Sequence, residues 1–354
     1  MTPTARLAVL ALAALATAAA SARADEPIQL KFGFPNPPTA WIYTIGIGNW
    51  AKDIEARTGG KLTIQGFPGG SVVNQRNVYD RVLNGVVDFG YGPFGEISDQ
   101  MPRSEVTNLP FESPGMVASS AAAWKMYRAG MFDEDFKRLR IITTFCLPPS
   151  GLHINKPVAK IEDIKGVKLT SATRANGEVI ERLGATVVAV TNPEAYGALQ
   201  RGMAQGIMLS DAGLTTFKLE EVTKYHVNLP LGCTTGGFFM NKDSYARLPD
   251  ASKAVLDAAS GDAMAKFMGE EAYRQDLIAR KKIESSPGAV MVTLDPKETE
   301  RWHAKLAPIA EEWARTHPDG EKVLAAFRAE IAKIAKGSWR KASPSPPHWG
   351  GEVR

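Results

Sequence analysis

The segment 161–206 limits the fold more than any other part of the chain, because it reads as two strand–helix units in succession. Gly166 interrupts the chain before a short apolar strand predicted over 167–170, and the helix after it carries its apolar residues on one face. Gly184 ends that helix and leads into a second, β-branched strand over 186–190. Tandem units of this kind predict parallel strands, and parallel sheets bind ligands at the carboxyl ends of their strands.

The carboxyl end of the first of these strands is therefore a candidate binding site. It is occupied by Thr170, Ser171, Thr173 and Arg174. Ser171 or Thr173 can cap the following helix, whose N-terminal N–H groups favour an anion, and Arg174 in the first turn adds a positive charge. The alternative for Arg174 is a solvent-facing position in which it pairs with Glu178 four residues later.

The first part of the chain repeats the pattern. Strands are predicted over 28–34, 61–67 and 86–89, with helices over 39–57 and 74–84 between them. This order predicts a second sheet. The fold class is therefore α/β with two lobes, each of them a sheet flanked by helices.

The strand ends of this first lobe present residues that suit an apolar or aromatic ligand. Asn36 and Trp41 follow the first strand, and Tyr91 and Phe94 follow the third. A buried aromatic side chain contributes about 1.5–3 kcal/mol through the area that it removes from water. Packing in the core of the lobe explains Trp41 equally well.

Residues 1–24 are typical of a secretory signal peptide. Arg6 supplies the positive charge, an apolar run too short to span a bilayer comfortably follows, and A-R-A at 22–24 fits a cleavage site. We expect cleavage after Ala24 and a mature protein in the periplasm; the alternative is an uncleaved membrane anchor. Removing Arg6 and Arg23 lowers the formal net charge from +4 to +2, a balance that does not indicate nucleic-acid binding.

Five motifs stand in the same order as in one known family. They are T-G-G-K at 58–61, F-P-G-G at 67–70, D-I-K-G-V-K-L-T at 163–170, L-G-A-T-V-V at 183–188 and E-A-Y-G-A-L-Q-R-G-M-A-Q-G at 194–206. Over about residues 28–335 the chain resembles the solute-binding proteins of tripartite ATP-independent periplasmic (TRAP) transporters, of the DctP type.

The resemblance implies a two-lobed, type II-like periplasmic binding protein fold that closes over a small ligand, with a long helix across the hinge. The lobe boundaries that it implies are 25–148 plus about 238–265 for lobe I, 149–237 plus about 266–336 for lobe II, and a flexible tail at 337–354. The hinge-spanning helix is expected over about 251–283 and a further helix over 296–315. Residues 105–111 match the family's short strand that ends in L-P-F.

The chain departs from the family pattern at the residues that bind the ligand. The arginine with which the family grips a carboxylate is replaced by Thr170. A second arginine of some members aligns with His153, and the family's frequent asparagine aligns with Leu209, directly before Ser210 and Asp211. A carboxylate must then be held by Arg174, by the helix N-terminus or by His153. A hydrogen-bonded histidine within a strand explains His153 equally well. The resemblance brings His153, Ser210 and Asp211 into the candidate site on this basis.

The implied function is capture of a small organic solute, an organic or aromatic acid, and its delivery to the small and large membrane subunits of a TRAP transporter driven by an ion gradient. No cofactor is expected. A periplasmic sensory module for a membrane receptor and a binding protein for a neutral solute share the fold and stay open. The chain has no nucleophile elbow, metalloprotease motif or phosphate-binding loop, which argues against an enzyme.

The two cysteines, Cys146 and Cys233, lack the spacing of a metal site. Both lie near the proposed crossings between the lobes. A disulfide formed in the export compartment and two unpaired buried thiols are both compatible with the sequence.

Overall fold

A computed structural model describes residues 27–335 apart from 228 and 230. The predicted signal peptide at 1–24 and the predicted tail at 337–354 therefore lie outside the described residues. In the described part no helix is long and apolar enough to cross a membrane.

The strands of the described chain form two mixed sheets. In chain order they are β1 (Ile28–Gly33), β2 (Leu62–Phe67), β3 (Phe89–Pro93), β4 (Leu139–Pro149), β5 (Gly151–Ile154), β6 (Lys168–Ser171), β7 (Thr186–Ala189), β8 (Gly206–Leu209), β9 (Tyr225–Val227), β10 (Cys233–Asn241) and β11 (Val290–Val292). The first sheet has the order β2-β1-β3-β10-β4 and the second the order β11-β9-β5-β8-β6-β7. We call the part built on the first sheet lobe I and the part built on the second lobe II.

The helices of the described chain cover these sheets. They are α1 (Gly48–Arg57), α2 (Val78–Leu83), α3 (Met116–Arg128), α4 (Asp133–Phe136), α5 (Arg174–Arg182), α6 (Asn192–Gln200), α7 (Asp211–Thr216), α8 (Lys242–Ala246), α9 (Asp250–Ala258), α10 (Asp262–Glu284), α11 (Pro296–Leu306), α12 (Pro308–Thr316) and α13 (Gly320–Ala335). A π-helical segment (Ile42–Ile47) precedes α1.

The predicted α/β fold of two sheets flanked by helices is confirmed, and its strands form for the expected reason. In β1 the side chains alternate, so that Leu30 and Phe32 are fully buried while Gln29 and Lys31 are exposed. β1 pairs in parallel with β2 and β3, and β6 pairs in parallel with β7 and β8. The carboxyl ends of these parallel strands face the space between the lobes, where the cavity described below lies.

The lobes are joined by strands that run from one sheet towards the other. β4 leads through Ser150 directly into β5, and β10 lies antiparallel to β4 as far as the pair Cys233 and Pro149. α10 packs against α3 and β4 on one side and against α7 on the other, so this helix contacts both lobes. α13 packs against α3 and against a 3-10 helix of lobe I (Pro102–Asn108). The lobe boundaries themselves remain a prediction.

The single helix predicted over 251–283 is two helices, α9 and α10. Gly261 separates them with φ 75°, a left-handed conformation that a residue with a side chain adopts only at a cost in strain. Similarly, the helix predicted over 296–315 is divided into α11 and α12 at Pro308, whose nitrogen cannot donate to the preceding turn.

Two strand predictions in lobe I need correction. The strand predicted over 86–89 begins only at Phe89, because 84–88 form the turn after α2. The strand predicted over 105–111 is instead largely the 3-10 helix Pro102–Asn108. A local bond holds its turn, since Ser104 Oγ donates to the Met101 carbonyl at 2.7 Å. The Ser104 N–H also donates to Asp135 Oδ2 at 3.3 Å, which ties the turn to α4.

Candidate functional site

A cavity that is open to solvent lies where the strand ends of both lobes meet. Lobe I contributes the loops after β1 and β3 and the end of β4, while lobe II contributes the starts of α5, α6 and α7. The described residues around it are Asn36, Ala40, Trp41, Ile42, Gln75, Tyr91, Pro93, Glu96, Leu147, Pro148, Ser150, Ala172, Thr173, Asn176, Asn192, Met208, Leu209, Ser210, Ala212, Gly213, Thr216, Phe217 and Thr234.

A chain of side-chain amides crosses this cavity from one lobe to the other. Gln75 Nε2 donates to Asn36 Oδ1 at 2.9 Å within lobe I. The backbone N–H of Asn192, at the first position of α6 in lobe II, donates to Gln75 Oε1 at 3.1 Å. Asn192 Nδ2 donates to Glu96 Oε1 at 2.9 Å. The amides therefore hold each other in place and connect the two lobes.

A second polar group surrounds the N-terminus of α5. Thr173 is its N-cap, and its Oγ1 accepts from the Asn176 N–H at 3.3 Å. Asn176 Nδ2 donates to Ser150 Oγ at 3.0 Å, which ties the helix to the crossing between β4 and β5. Ser210 caps α7 in the same way, accepting from the Gly213 N–H at 3.1 Å.

Aromatic side chains form the apolar wall of the cavity. Trp41 and Tyr91 are 8% and 1% exposed, and Phe217 is half-buried at the end of α7. Tyr91 is stacked against Phe145 with ring centroids 6.2 Å apart. Burial is the main cause of the raised pKa of Tyr91, and the neighbouring Glu96 raises it further. The Tyr91 side chain therefore stays a neutral phenol.

The described residues around the cavity include a carboxyl group but no lysine, arginine or histidine. The carboxyl belongs to Glu96, in a 3-10 helix (Phe94–Ile97) that follows β3. Part of the residue is solvent accessible, yet its Oε2 atom is buried and has no hydrogen-bond partner among the described residues. Burial raises the pKa of Glu96 to about 8.

Residues 37–316 match the family model described as bacterial extracellular solute-binding protein, family 7. The chain belongs to this family. The predicted resemblance to DctP-type TRAP solute-binding proteins is thereby confirmed, and the family works outside the cytoplasm.

Three solved structures are similar over most of the chain. A TRAP solute-binding protein from an unidentified marine microbe, specific for aromatic acid ligands and bound to 3-hydroxybenzoate, is 26% identical with a TM-score of 0.83, over 87% of this chain and 99% of that one. One from Rhodoferax ferrireducens T118 with copurified benzoate is 25% identical, with a TM-score of 0.82 and the same coverage. One from Bordetella bronchiseptica with bound (R)- and (S)-mandelate is 26% identical, with a TM-score of 0.79, over 87% and 100%.

The structure of this solute-binding protein brings together five of the residues predicted for its site. These are Asn36, Trp41, Tyr91, Thr173 and Ser210, all around the main cavity. Ser171 lines a smaller adjoining cavity together with Arg76 and Glu96. Ser171 Oγ donates to the Thr173 carbonyl at 2.9 Å, so it also supports the helix cap. Their contact with a ligand remains a prediction.

Three predicted residues lie elsewhere. Phe94 is 1% exposed and packs in the core against Phe136 and Phe239, because the chain turns into a 3-10 helix directly after β3. Thr170 is fully buried within β6, where its Oγ1 lies 3.5 Å from the Gly206 carbonyl. Arg174 is exposed and is not among the described residues around the main cavity.

His153 and Asp211 belong to a polar cluster behind the cavity wall. His153 Nδ1 lies 3.0 Å from His226 Nδ1, and its Nε2 lies 2.9 Å from the Leu209 carbonyl. Burial lowers the pKa of both histidines to about 4, so both are neutral near pH 7. Asp211 lies 3.7 Å from His153 and 3.6 Å from Arg280. These groups support the strand ends and α7 rather than facing the cavity.

Four residues that line the cavity were not predicted from the sequence: Gln75, Glu96, Asn176 and Asn192. Two of them carried a usable signal. Glu96 follows the same strand as Tyr91, and Asn192 begins a helix directly after β7, so the strand-end rule applies to both. Gln75 lies in the loop before α2 and had no such signal.

The thiols of Cys146 and Cys233 are free and buried in the structure, which agrees with the unpaired alternative. Ser113 Oγ donates to Cys233 Sγ at 3.2 Å, and Cys146 Sγ lies 3.6 Å from Thr235 Oγ1. Among the residues that the structure describes, no cluster of metal-ligating side chains occurs.

Proposed function

We propose that this protein captures a small organic acid with an aromatic ring in the periplasm and delivers it to the small and large membrane subunits of a TRAP transporter. The observation that carries the proposal is the cavity, which combines aromatic walls with hydrogen-bond donors at a helix N-terminus. The three similar structures hold benzoate, 3-hydroxybenzoate or mandelate, which are all aromatic acids. Cleavage after Ala24 releases the mature protein in this proposal.

The aromatic ring of the ligand is placed between Trp41, Tyr91 and Phe217. Fully burying a phenyl-sized group is worth about 1.5–3 kcal/mol, and ring pairs add about 0.5–1.5 kcal/mol. Trp41 and Tyr91 are already packed in the lobe I core, and Phe217 packs against the lobe II core, so little side-chain freedom is lost when a ligand binds.

The carboxylate of the ligand is placed at the start of α5. First-turn N–H groups of a helix point towards its N-terminus and favour an anion, and α5 is long enough to have a dipole of useful size. Asn176, which contacts Ser150 and is 6% exposed, lies in the same turn. In this arrangement N–H donors take over from the family arginine that Thr170 replaces.

A neutral solute is the second candidate, and one observation favours it. No lysine, arginine or histidine is found among the described residues that line the cavity. A charge-assisted hydrogen bond contributes about 1.5–3 kcal/mol to the binding of an anion. A neutral ligand needs no cationic partner, so it loses nothing when none lines the cavity. Amides and hydroxyls of the cavity then supply all the polar contacts.

A comparison of matched ligands tests the proposal. The mature protein is titrated calorimetrically with benzoate, 3-hydroxybenzoate, benzamide and cyclohexanecarboxylate. We expect benzoate or 3-hydroxybenzoate to bind at least about tenfold more tightly than benzamide, the equivalent of about 1.4 kcal/mol. Cyclohexanecarboxylate, with the same charge but no aromatic ring, is expected to bind more weakly than benzoate. Equal affinity for benzoate and benzamide would contradict the acid and favour the neutral solute.

A further inference from the structure

The proposed function does not use the carboxyl group of Glu96, which lines the cavity. Its Oε1 accepts from Asn192 Nδ2 at 2.9 Å, whereas its Oε2 is buried without a partner among the described residues. A buried polar atom without a partner is costly, and in a binding site it marks a place where a ligand completes the bonding. Glu96 also lines the smaller cavity beside Ala172, so it reaches both spaces.

Glu96 lies close to the helix N-terminus at which the carboxylate is placed. A Cβ atom built on the preceding Gly95 would lie 3.2 Å from Thr173 Cγ2, which shows how closely this segment packs against the N-cap of α5. A carboxylate bound at that N-cap therefore comes near the Glu96 carboxyl. Two ionised carboxylates so close together in a buried site repel each other, unless a proton lies between them.

The charged groups on the surrounding elements leave Glu96 without a compensating cation. Tyr91 on β3 is a phenol, and Arg76 pairs with Glu194 at 3.1 Å on the surface. Glu105 on the 3-10 helix of lobe I lies 3.3 Å from His317, and Arg174 on α5 is exposed. Burial alone accounts for the raised pKa of Glu96, about 8. At neutral pH the group accordingly carries its proton.

We propose that Glu96 is a specificity-determining residue that binds in its protonated form and donates the hydrogen on Oε2 to the carboxylate of the ligand. This inference rests on the proposed function, because it assumes an acidic ligand. The proton stays between two oxygen atoms, and no other bond is made or broken. The carboxylic acid of Glu96 thus donates a hydrogen bond to the ligand carboxylate in place of the missing arginine. Unlike an arginine, it can do so only while it is protonated.

Binding and pH are linked in a defined direction. Above the pKa that Glu96 has in the ligand-free protein, Glu96 must take up a proton before the anion can bind. Affinity for the anion therefore falls by about tenfold per pH unit well above that pKa. Below it, affinity is constant until the ligand itself is protonated. A cation or amine that binds an ionised Glu96 gives the opposite trend, with affinity rising as pH rises.

Calorimetry of benzoate and 3-hydroxybenzoate from about pH 6 to about pH 9 tests this linkage. For the wild type we expect affinity to fall by about tenfold between about pH 7 and about pH 9, with about one proton taken up at the upper end, measured from the buffer dependence of the binding enthalpy. Glu96→Gln keeps a donor at the same position, so its affinity should stay within about threefold of the wild type at about pH 6 and lose the pH dependence. Glu96→Ala removes the donor and should bind about tenfold more weakly at about pH 6.

Glu178→Gln is the matched control. Burial raises the pKa of Glu178 as well, but this residue is not among the described residues around the cavity. This variant should retain the wild-type affinity and pH profile. Thermal unfolding of each variant without ligand shows whether it is folded.

Infrared spectroscopy of protein carrying ¹³C-labelled glutamate gives a readout that needs no ligand. At neutral pH the wild type should show the C=O band of a protonated glutamic acid that Glu96→Gln lacks and Glu178→Gln keeps. If that band is missing while benzoate still binds, the inference fails and the proposed function stands. If neither benzoate nor 3-hydroxybenzoate binds at any pH, the proposed class of ligand is wrong. The inference that Glu96 donates to a carboxylate is then wrong as well. A wild-type affinity that does not change with pH, or rises with it, also overturns the inference.

Discussion

Asn192 Nδ2 lies 2.9 Å from Glu96 Oε1, and this hydrogen bond joins the first residue of α6 in lobe II to the 3-10 helix after β3 in lobe I. The Asn192 backbone N–H meets Gln75 of lobe I at 3.1 Å as well. One residue thus holds two groups of the opposite lobe. Both contacts lie at the cavity, so the connection between the lobes and the polar lining of the cavity depend on the same atoms.

The first prediction concerns this connection. Asn192→Ala removes the bond to Glu96 and leaves the buried carboxyl with neither oxygen paired. Because a buried hydrogen bond is worth about 1 kcal/mol and an unpaired buried group costs more, we expect benzoate affinity to fall by about tenfold. Calorimetry measures the affinity, and solution scattering should show a larger radius of gyration at equal saturation.

Arg76→Ala is the control for that variant. Arg76 also crosses between the lobes, to Glu194 at 3.1 Å, but the two side chains are 66% and 53% exposed. An exposed ion pair contributes less than about 1 kcal/mol, so this variant should bind within about threefold of the wild type. A larger loss for Arg76→Ala than for Asn192→Ala would mean that surface charge, and not the buried amide, holds the lobes together.

The second prediction concerns the aromatic wall. Phe217 borders the cavity at the end of α7 and is half-buried. Phe217→Ala should weaken benzoate by about tenfold or more, since about 1.5–3 kcal/mol of apolar burial is at stake. Phe217→Leu keeps most of the apolar area and should lose less. Competition with acetate serves as the internal reference, because a ligand without a ring should respond little to either change.

The fold could be predicted from the sequence because its signals are local. Tandem strand–helix units, Gly166 and Gly184 and the apolar alternation of β1 each act within a few residues. The long helix was predicted wrongly for an equally local reason, since Gly261 has helical neighbours on both sides and only its left-handed backbone breaks the helix.

The site could be predicted only in part, because its chemistry depends on contacts between the lobes. The strand-end rule selected Asn36, Tyr91 and Thr173, which do line the cavity. It does not say which way a side chain points, so buried Thr170 was selected together with them. Burial raises the pKa of Glu96, and its hydrogen-bond partner Asn192 lies almost a hundred residues later in the chain. No pattern within one segment indicates such a pair.

The third prediction concerns the cysteines. Cys146 and Cys233 are both fully buried, so a thiol reagent should not react with the native protein. After denaturation without a reductant it should titrate two thiols in each mature chain, because the structure has them free. Cys233→Ser, read under the same conditions, should leave one. If protein taken from the periplasm yields no thiol after denaturation, an oxidant of the export compartment has joined the pair.

The fourth prediction concerns stability and pH. Burial is the main cause that raises the pKa of Asp276 to about 7, and the negative charge of Asp211 is the second. An unfolded aspartate has a pKa of about 3.9. Between these values the folded state holds a proton that the unfolded state has lost, so this group makes the protein less stable as pH rises through the window. Asp276→Asn should therefore raise the free energy of unfolding by about 2 kcal/mol at about pH 8, after allowance for partial exposure, and by almost nothing at about pH 4.

Urea unfolding at both pH values measures this difference. Asp99→Asn changes an exposed aspartate and should show no comparable gain between the two pH values. A gain for Asp276→Asn that is equal at both pH values would show that packing, and not protonation, is the cause.

The last prediction separates two residues on the first turns of α5. Arg174 is exposed outside the described cavity lining, whereas Asn176 is 6% exposed and borders the cavity with its side chain bonded to Ser150 at 3.0 Å. Arg174→Ala should change benzoate affinity by less than about threefold, because an exposed charge is largely screened by water and salt. Asn176→Ala should weaken it by about tenfold through loss of a buried amide. Should calorimetry find the reverse order, Arg174 turns into the cleft when the ligand binds and replaces the family arginine after all.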